Sequence, residues 1–249
     1  MQSIITHFYN EEYLLPWWLE HHKKYFNYGV LIDYGSTDNS VAICKEICPH
    51  WQVFPSANEY FDCHAADQEV MFYERQLPGW RIALNVTEFL VGPLERLMSN
   101  PNERVQYIIP EVMFTGWNPK GVLDQNKPLW EQITFGVPYT VPMLARLSRS
   151  LHNFNDIQYQ PGRHFDPWSC DEALIFHYGH AIVSDPMLKR RLQVQDKISP
   201  ADKQTNLGWQ HHFANQGLTK KRLKHLTKGH YYMGAVDCTD MIKRVTTAE

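Results

Sequence analysis

Short apolar runs alternate with amphipathic stretches over the first ninety residues. Ser3-Ile4-Ile5-Thr6-His7-Phe8 predicts a short buried strand, which runs into Tyr9-Asn10-Glu11-Glu12 and then a helical stretch through Leu14, Trp17, Trp18, Leu19 and His22. Pro16 suits the first turn of that helix, where a missing N–H costs little. Tyr28-Gly29-Val30-Leu31-Ile32-Asp33 predicts a second strand ending in an acid. Gly35-Ser36-Thr37-Asp38-Asn39-Ser40 is a cluster of turn and N-cap residues, and Val41 to Cys48 reads as a helix. Val53-Phe54 begins a third strand. A helix from about Ala65 to Gln76 leads to Trp80-Arg81-Ile82-Ala83-Leu84-Asn85, whose apolar run continues to Phe89. Such continuity is expected of a central strand covered on both faces. Strand, helix, strand, helix, strand is the order of parallel βαβ units.

Beyond residue 90 the pattern changes. Val105-Gln106-Tyr107-Ile108-Ile109 and Val112-Met113-Phe114 read as two strands of a mixed sheet, and Gly116 to Pro142 is rich in Pro, Gly and Trp, as binding loops are. Ala173-Leu174-Ile175-Phe176-His177-Tyr178 is the last clear strand. From about Ser184 the chain reads as polar and helical. The expected organisation is an α/β domain over residues 1–183 with a helical C-terminal extension, residues 184–249, packed on it.

Composition narrows the function. The 249 residues are 43% hydrophobic and 20% charged, enough for one sizeable core. A net charge of −3 argues against broad nucleic-acid binding. Lys220, Lys221, Arg222, Lys224 and Lys228 form a basic run, read as a solvated helix face or as an anionic-surface contact. Five cysteines at irregular spacing suggest neither a disulfide framework nor a zinc site. With no N-terminal apolar leader and no span of about 20 apolar residues, a cytoplasmic setting is expected.

In an open parallel sheet, ligands bind beyond the carboxyl ends of the strands. Four such ends are polar: Asn10-Glu11-Glu12, Asp33 with Gly35-Ser36-Thr37-Asp38, Asn85-Val86-Thr87-Glu88, and His177-Tyr178-Gly179-His180. Their order resembles family 2-like GT-A glycosyltransferases, including the relatives grouped with family 92. Asn10-Glu11-Glu12 followed by Trp18-Leu19-Glu20-His21-His22 resembles the family's N-E-x then W-x-x-x-H/Y, and Ile32-Asp33-Tyr34-Gly35-Ser36-Thr37-Asp38 its D-x-G-S-T-D. Trp80 to Leu90 is similar to its W-hydrophobics-D-x-D-E-F. The likeness covers roughly residues 1 to 180. It implies a Rossmann-like GT-A fold, with a mixed, largely parallel sheet flanked by helices. It further implies transfer of a sugar from a nucleotide diphosphate-sugar to a glycan or other hydroxyl acceptor, with inversion. Asn10, Glu11, Glu12, Asp33, Gly35, Ser36 and Asp38 are then expected at the nucleotide, and Asn85, Thr87, Glu88, His177 and His180 at a manganese or magnesium ion on the diphosphate.

The chain departs from that pattern at the metal. Asn85 and Thr87 stand where the family has two aspartates, and only Glu88 remains. Neutral oxygens are poor ligands for hard cations. Three outcomes are compatible with this change: a metal held by Glu88 and a histidine, a metal-independent enzyme using His or Arg on the diphosphate, or a domain that binds without catalysis. The sequon Asn85-Val86-Thr87 is read as accidental. Inverting transfer needs a general base, for which Asp171 (beside Glu172) and Glu111 are the candidates. Arg163-His164 and Trp117, Trp130 and Trp168 are candidates for lining a sugar site, the tryptophans equally for packing. Adjacent pairs His21-His22 and His211-His212 do not face one direction on a helix and are read as packing or exposed residues.

Overall fold

The computed structural model describes residues 1–140, 147–159, 161–165, 167–205, 207, 224 and 234–247. Four strands form the parallel half of a mixed sheet: β1 (Gln2–Phe8), β2 (Tyr28–Asp33), β3 (Gln52–Pro55) and β4 (Trp80–Ala83). They stand in the order β4-β1-β2-β3. The crossovers are α1 (Leu15–His22), α2 (Ser40–Ile47) and α3 (Cys63–Glu74). Alternate strand residues serve two layers, because successive side chains leave a strand on opposite faces. Ile4, Leu31 and Ile82 pack with Trp18 of α1 and Cys44 of α2, whereas Ile5, Val30, Ile32 and Ala83 pack with Val70 of α3. Helices on both faces are why these strands carry nearly unbroken apolar runs.

The other half follows β5 (Glu88–Val91), α4 (Leu94–Met98), β6 (Gln106–Trp117), α5 (Leu129–Gln132), β7 (Phe135–Val137), β8 (Ser148–His152) and β9 (Leu174–Ile182). Strand β8 lies antiparallel between β4 and β6, joined to β4 by the single pair Arg81 and His152. Strand β6 runs parallel to β9, and β9 antiparallel to β5. After β9 come α6 (Asp185–Gln193), a 3-10 turn (Val194–Lys197) and α7 (Pro200–Thr205). Helix α6 starts as its sequence requires: the Ser184 side chain accepts from Met187 N–H at 3.4 Å, and a proline sits in the first turn.

Three expectations change. The run from Trp80 to Phe89 is two strands, β4 and β5, separated by a turn in which Glu88 N–H donates to Asn85 carbonyl at 2.9 Å. Hydrophobicity cannot reveal this break, since Leu84 and Val86 within the turn are themselves buried. The two short runs Val105–Ile109 and Val112–Phe114 are one twelve-residue strand, β6. The C-terminal segment is not helical throughout: β10 (Val236–Asp237) pairs with β7 before α8 (Thr239–Thr246). Of the basic run only Lys224 lies within the described residues. All five cysteines are free. Among the described residues no helix is long and apolar enough to cross a membrane.

Candidate functional site

A cavity of about 580 Å³ opens at the carboxyl ends of β1 and β4. Its floor is His7, Tyr9 and the turn Asn85–Thr87; one wall is Glu111 of β6, Arg149 of β8 and His177 and His180 of β9. Asp67 of α3, the turn Gly162–His164, and Arg190 and Arg191 of α6 close the other side.

Register places the charged groups in the wall. Ile109 of β6 pairs with Arg149 of β8, so Glu111, two residues further along β6, shares a face with Arg149. Glu88 of β5 pairs with His177 of β9. The fully buried Arg149 guanidinium lies between two buried carboxylates. It donates to Glu88 Oε2 from Nε at 2.9 Å and to Glu88 Oε1 from Nη2 at 2.5 Å. Its Nη1 lies 3.1 Å from Glu111 Oε1 and 2.7 Å from His164 Nδ1. On the far side, Glu111 Oε2 meets His177 Nδ1 at 3.0 Å. Burial raises the Glu111 pKa, but the charge of Arg149 and the His177 hydrogen bond overcome it and hold the carboxyl below its ordinary range. Burial likewise works against the charge on Arg149, and Glu88 and Glu111 more than restore it. His164 is lowered to about 4 by burial and by Arg149, and burial holds His7 and His180 well below the ordinary imidazole range.

A second cation joins this group through Asn85. The Asn85 side-chain amide donates to Glu88 Oε1 at 2.7 Å, and its oxygen accepts from Arg163 Nη2 at 2.7 Å. Partners of opposite character fix which way the amide points. Arg163 has φ of 60°, left-handed backbone that L residues seldom adopt. Asp67 holds that turn from both ends, accepting from Gly162 N–H at 2.9 Å and from Arg163 Nη1 at 3.1 Å. Burial raises the Asp67 pKa despite Arg163. Arg163 Nε is buried without a hydrogen-bond partner. Strained backbone of this kind clusters at active sites and ligand clamps.

The two N-terminal loops lock each other. Asn10 (φ 52°) accepts from Thr37 N–H at 2.7 Å and Asp38 N–H at 3.3 Å, and its own N–H donates to Ser36 Oγ at 2.9 Å. Asp33 accepts from Ser36 N–H across the tight turn at Gly35 (φ 77°), Asp38 from Glu12 N–H and Ser40 N–H, and Glu12 from Asn39. Asn10, Glu12, Asp33, Gly35, Ser36 and Asp38 thus lie together at the strand ends but outside the cavity lining, joined by hydrogen bonds across the two loops. Only Glu11 of that set reaches the cavity, where it is ion-paired with Arg190. Thr87 lines the cavity, and its carbonyl accepts from Tyr178 N–H at 2.8 Å.

Among the described residues, Glu88, Glu111 and His177 are the one set whose ligand atoms lie close enough together, within 4.8 Å, to hold a metal. Thr87 and His180 line the same cavity but are not in that set. Asp171 sits on the exposed loop before β9, away from the lining. Trp130 packs in the core against His21, Phe89 and Phe176, and Trp168 packs on Tyr139. His21 bonds Leu90 carbonyl; His22 Nδ1 bonds Trp18 carbonyl and its Nε2 accepts from Leu90 N–H. Both are packing residues, as their adjacency implies, and His211-His212 lies outside the described residues.

Sequence reasoning missed Arg149, Asp67, Arg190 and Arg191. Ser148-Arg149-Ser150-Leu151-His152 offers no apolar alternation, yet every residue of β8 is buried. The only available signal was an arginine flanked by small residues.

No family model and no curated protein matches the chain. Among solved structures, S. aureus TarS 1-349 in complex with UDP is similar over 49% of this chain and 38% of that one, at 17% identity and a TM-score of 0.36. For S. aureus TarS 1-349 the figures are 86%, 72%, 12% and 0.43, and for the same protein in complex with UDP-GlcNAc 49%, 37%, 16% and 0.31. The chain spans about two fifths of the first of these. Likeness of this degree does not bear on its chemistry, which rests on its own residues.

Proposed function

We propose that the chain is a glycosyltransferase that takes a nucleotide diphosphate-sugar into the cavity and passes the sugar, with inversion, to a hydroxyl acceptor. The observation that carries this reading is the cavity's position and charge. It lies at the carboxyl ends of parallel strands, where such sheets bind ligands, and its lining carries Arg149, Arg163, Arg190 and Arg191 beside the acids Glu11, Asp62, Asp67, Glu111 and Asp202. A departing nucleoside diphosphate carries developing negative charge that fixed cations stabilise. Arg163, held strained with one N–H unsatisfied, is the residue assigned to that anion.

For the base, Asp171 does not line the cavity, and Glu111 is paired with Arg149 and His177. Glu111 instead orients His177, as a carboxylate orients an imidazole in other proton-transfer pairs. The acceptor hydroxyl would attack the anomeric carbon and give its proton to His177 Nε2. The bond from that carbon to the phosphate oxygen breaks, and the electron pair leaves with the nucleoside diphosphate.

Calorimetric titration with UDP, GDP and ADP, followed by a donor hydrolysis assay, tests both parts. At least one nucleotide is expected to bind, about 10-fold more weakly to Arg163→Ala, the loss of one charge-assisted hydrogen bond. His177→Gln is expected to lower turnover about 100-fold or more without weakening nucleotide binding. A protein that binds none of the three nucleotides would sink the proposal. Binding without turnover would favour a second reading, a silent nucleotide-sugar-binding protein, for which the partnered state of Glu11, Asp67 and Glu111 already speaks.

A further inference from the structure

The cluster of Glu88, Glu111 and His177 has the donors of a divalent-cation site, two carboxylates and an imidazole. The cation already among them is Arg149. Glu88 receives four hydrogen bonds, two from Arg149 and two from Asn85, one for each lone-pair position of a carboxylate. Glu111 has one oxygen on His177 and the other in an ion pair with Arg149 at 3.1 Å, without a hydrogen bond. No ligand atom of Glu88 can turn to a metal without breaking a buried charge-assisted bond, and an added dication would stand beside a guanidinium in the same dry pocket.

The geometry points to Arg149 as a built-in replacement for the metal: the protein binds no divalent cation at this cluster, and removing the guanidinium uncovers a latent site made by Glu88, Glu111 and His177. This deepens the glycosyltransferase reading and shares its cavity, but it stands on the protein alone. Asn85 belongs to the same device. Its amide gives a hydrogen to Glu88 and takes one from Arg163, which no carboxylate can do at once. An aspartate there would set two carboxylate oxygens against each other at the 2.7 Å now spanned by a hydrogen bond. Asn85 is therefore the residue that an arginine-filled site needs, and returning an acid to that position would not by itself return a metal.

The test is manganese binding, followed by electron paramagnetic resonance and calorimetry, on the nucleotide-free full chain. Wild type and Asn85→Asp are expected to bind no stoichiometric manganese at this site. Arg149→Met is expected to bind one equivalent on the order of 100-fold more tightly than wild type, because two carboxylates lose their counter-ion. Adding Glu111→Gln to Arg149→Met is expected to abolish that gain. If wild type binds one manganese and Glu111→Gln removes it, the proposal is overturned. A folded Arg149→Met that gains no affinity also overturns it; should that variant not fold, the wild-type titration decides. Nucleotide titration in the presence of chelator is scored separately, so a protein that binds no nucleotide but behaves as expected with manganese would overturn only the glycosyltransferase reading.

Discussion

At the scale of single residues, the site is a question of hydrogen-bond polarity. Asn85 stands where the sequence predicts a metal ligand, and its two ends serve an acid and a base. Replacing it with aspartate keeps size and shape while reversing one end from donor to acceptor. Asn85→Asp is expected to cost about 1–3 kcal/mol, the penalty of opposing a buried acceptor with another acceptor. A urea unfolding series that found Asn85→Asp as stable as wild type would contradict the arrangement. Glycine acts at the same scale beside His177: a Cβ at Gly179 would fall 2.6 Å from His177 Nε2, so the bare backbone there leaves the imidazole its place.

At the scale of elements, the parallel strands β1 to β4 were legible, as were β6 and β9, whereas β8 was not, for one physical reason. Strands β1, β2 and β4 are buried by apolar contact, which leaves its mark as runs such as Ile4-Ile5 and Val30-Leu31-Ile32. Strand β8 is buried largely by ion pairing and hydrogen bonding of its Arg149, Ser150 and His152, and charge satisfied at long range leaves no periodic trace. The expected site was legible to the same degree. The strand-end acids were found, but their partners were not: Asp33 and Asp38 also hold the two N-terminal loops together. Asn10 is the keystone of those loops. Asn10→Ala removes the acceptor for Thr37 N–H and Asp38 N–H and places alanine at φ 52°. A loss of about 1–3 kcal/mol is expected, and Asn10→Gly, which avoids the strain, is expected to lose less. Denaturation of the two variants side by side checks the ordering.

At the scale of the whole molecule, pH acts through a buried acid that does not itself line the cavity. Burial raises the Glu74 pKa from 4.5 to about 7, against the lowering effect of its hydrogen bond from Tyr159. The folded chain therefore holds this proton more tightly than the unfolded chain. Stability from this group is complete below about pH 4.5, falls as pH climbs to about 7, and stays reduced above it. Glu74→Gln, which cannot ionise, is expected to gain stability relative to wild type between pH 5 and pH 8. The upper limit is about 3 kcal/mol. Thermal unfolding at the two pH values checks the sign: an equal offset at both would show that Glu74 does not titrate in this range.

The seam between β4 and β8 has a consequence for biosynthesis. One backbone pair joins the two halves of the sheet there, and side chains bridge the rest, with Arg81 Nη1 donating to Asn155 Oδ1, 74 residues on. An unpaired carboxylate resists leaving water. As the nascent chain emerges, its N-terminal strands can assemble around their apolar cores, but the pocket that holds Glu88 cannot dry until residue 149 has been made. Burial of Glu88 therefore waits on Arg149, made well after the parallel strands.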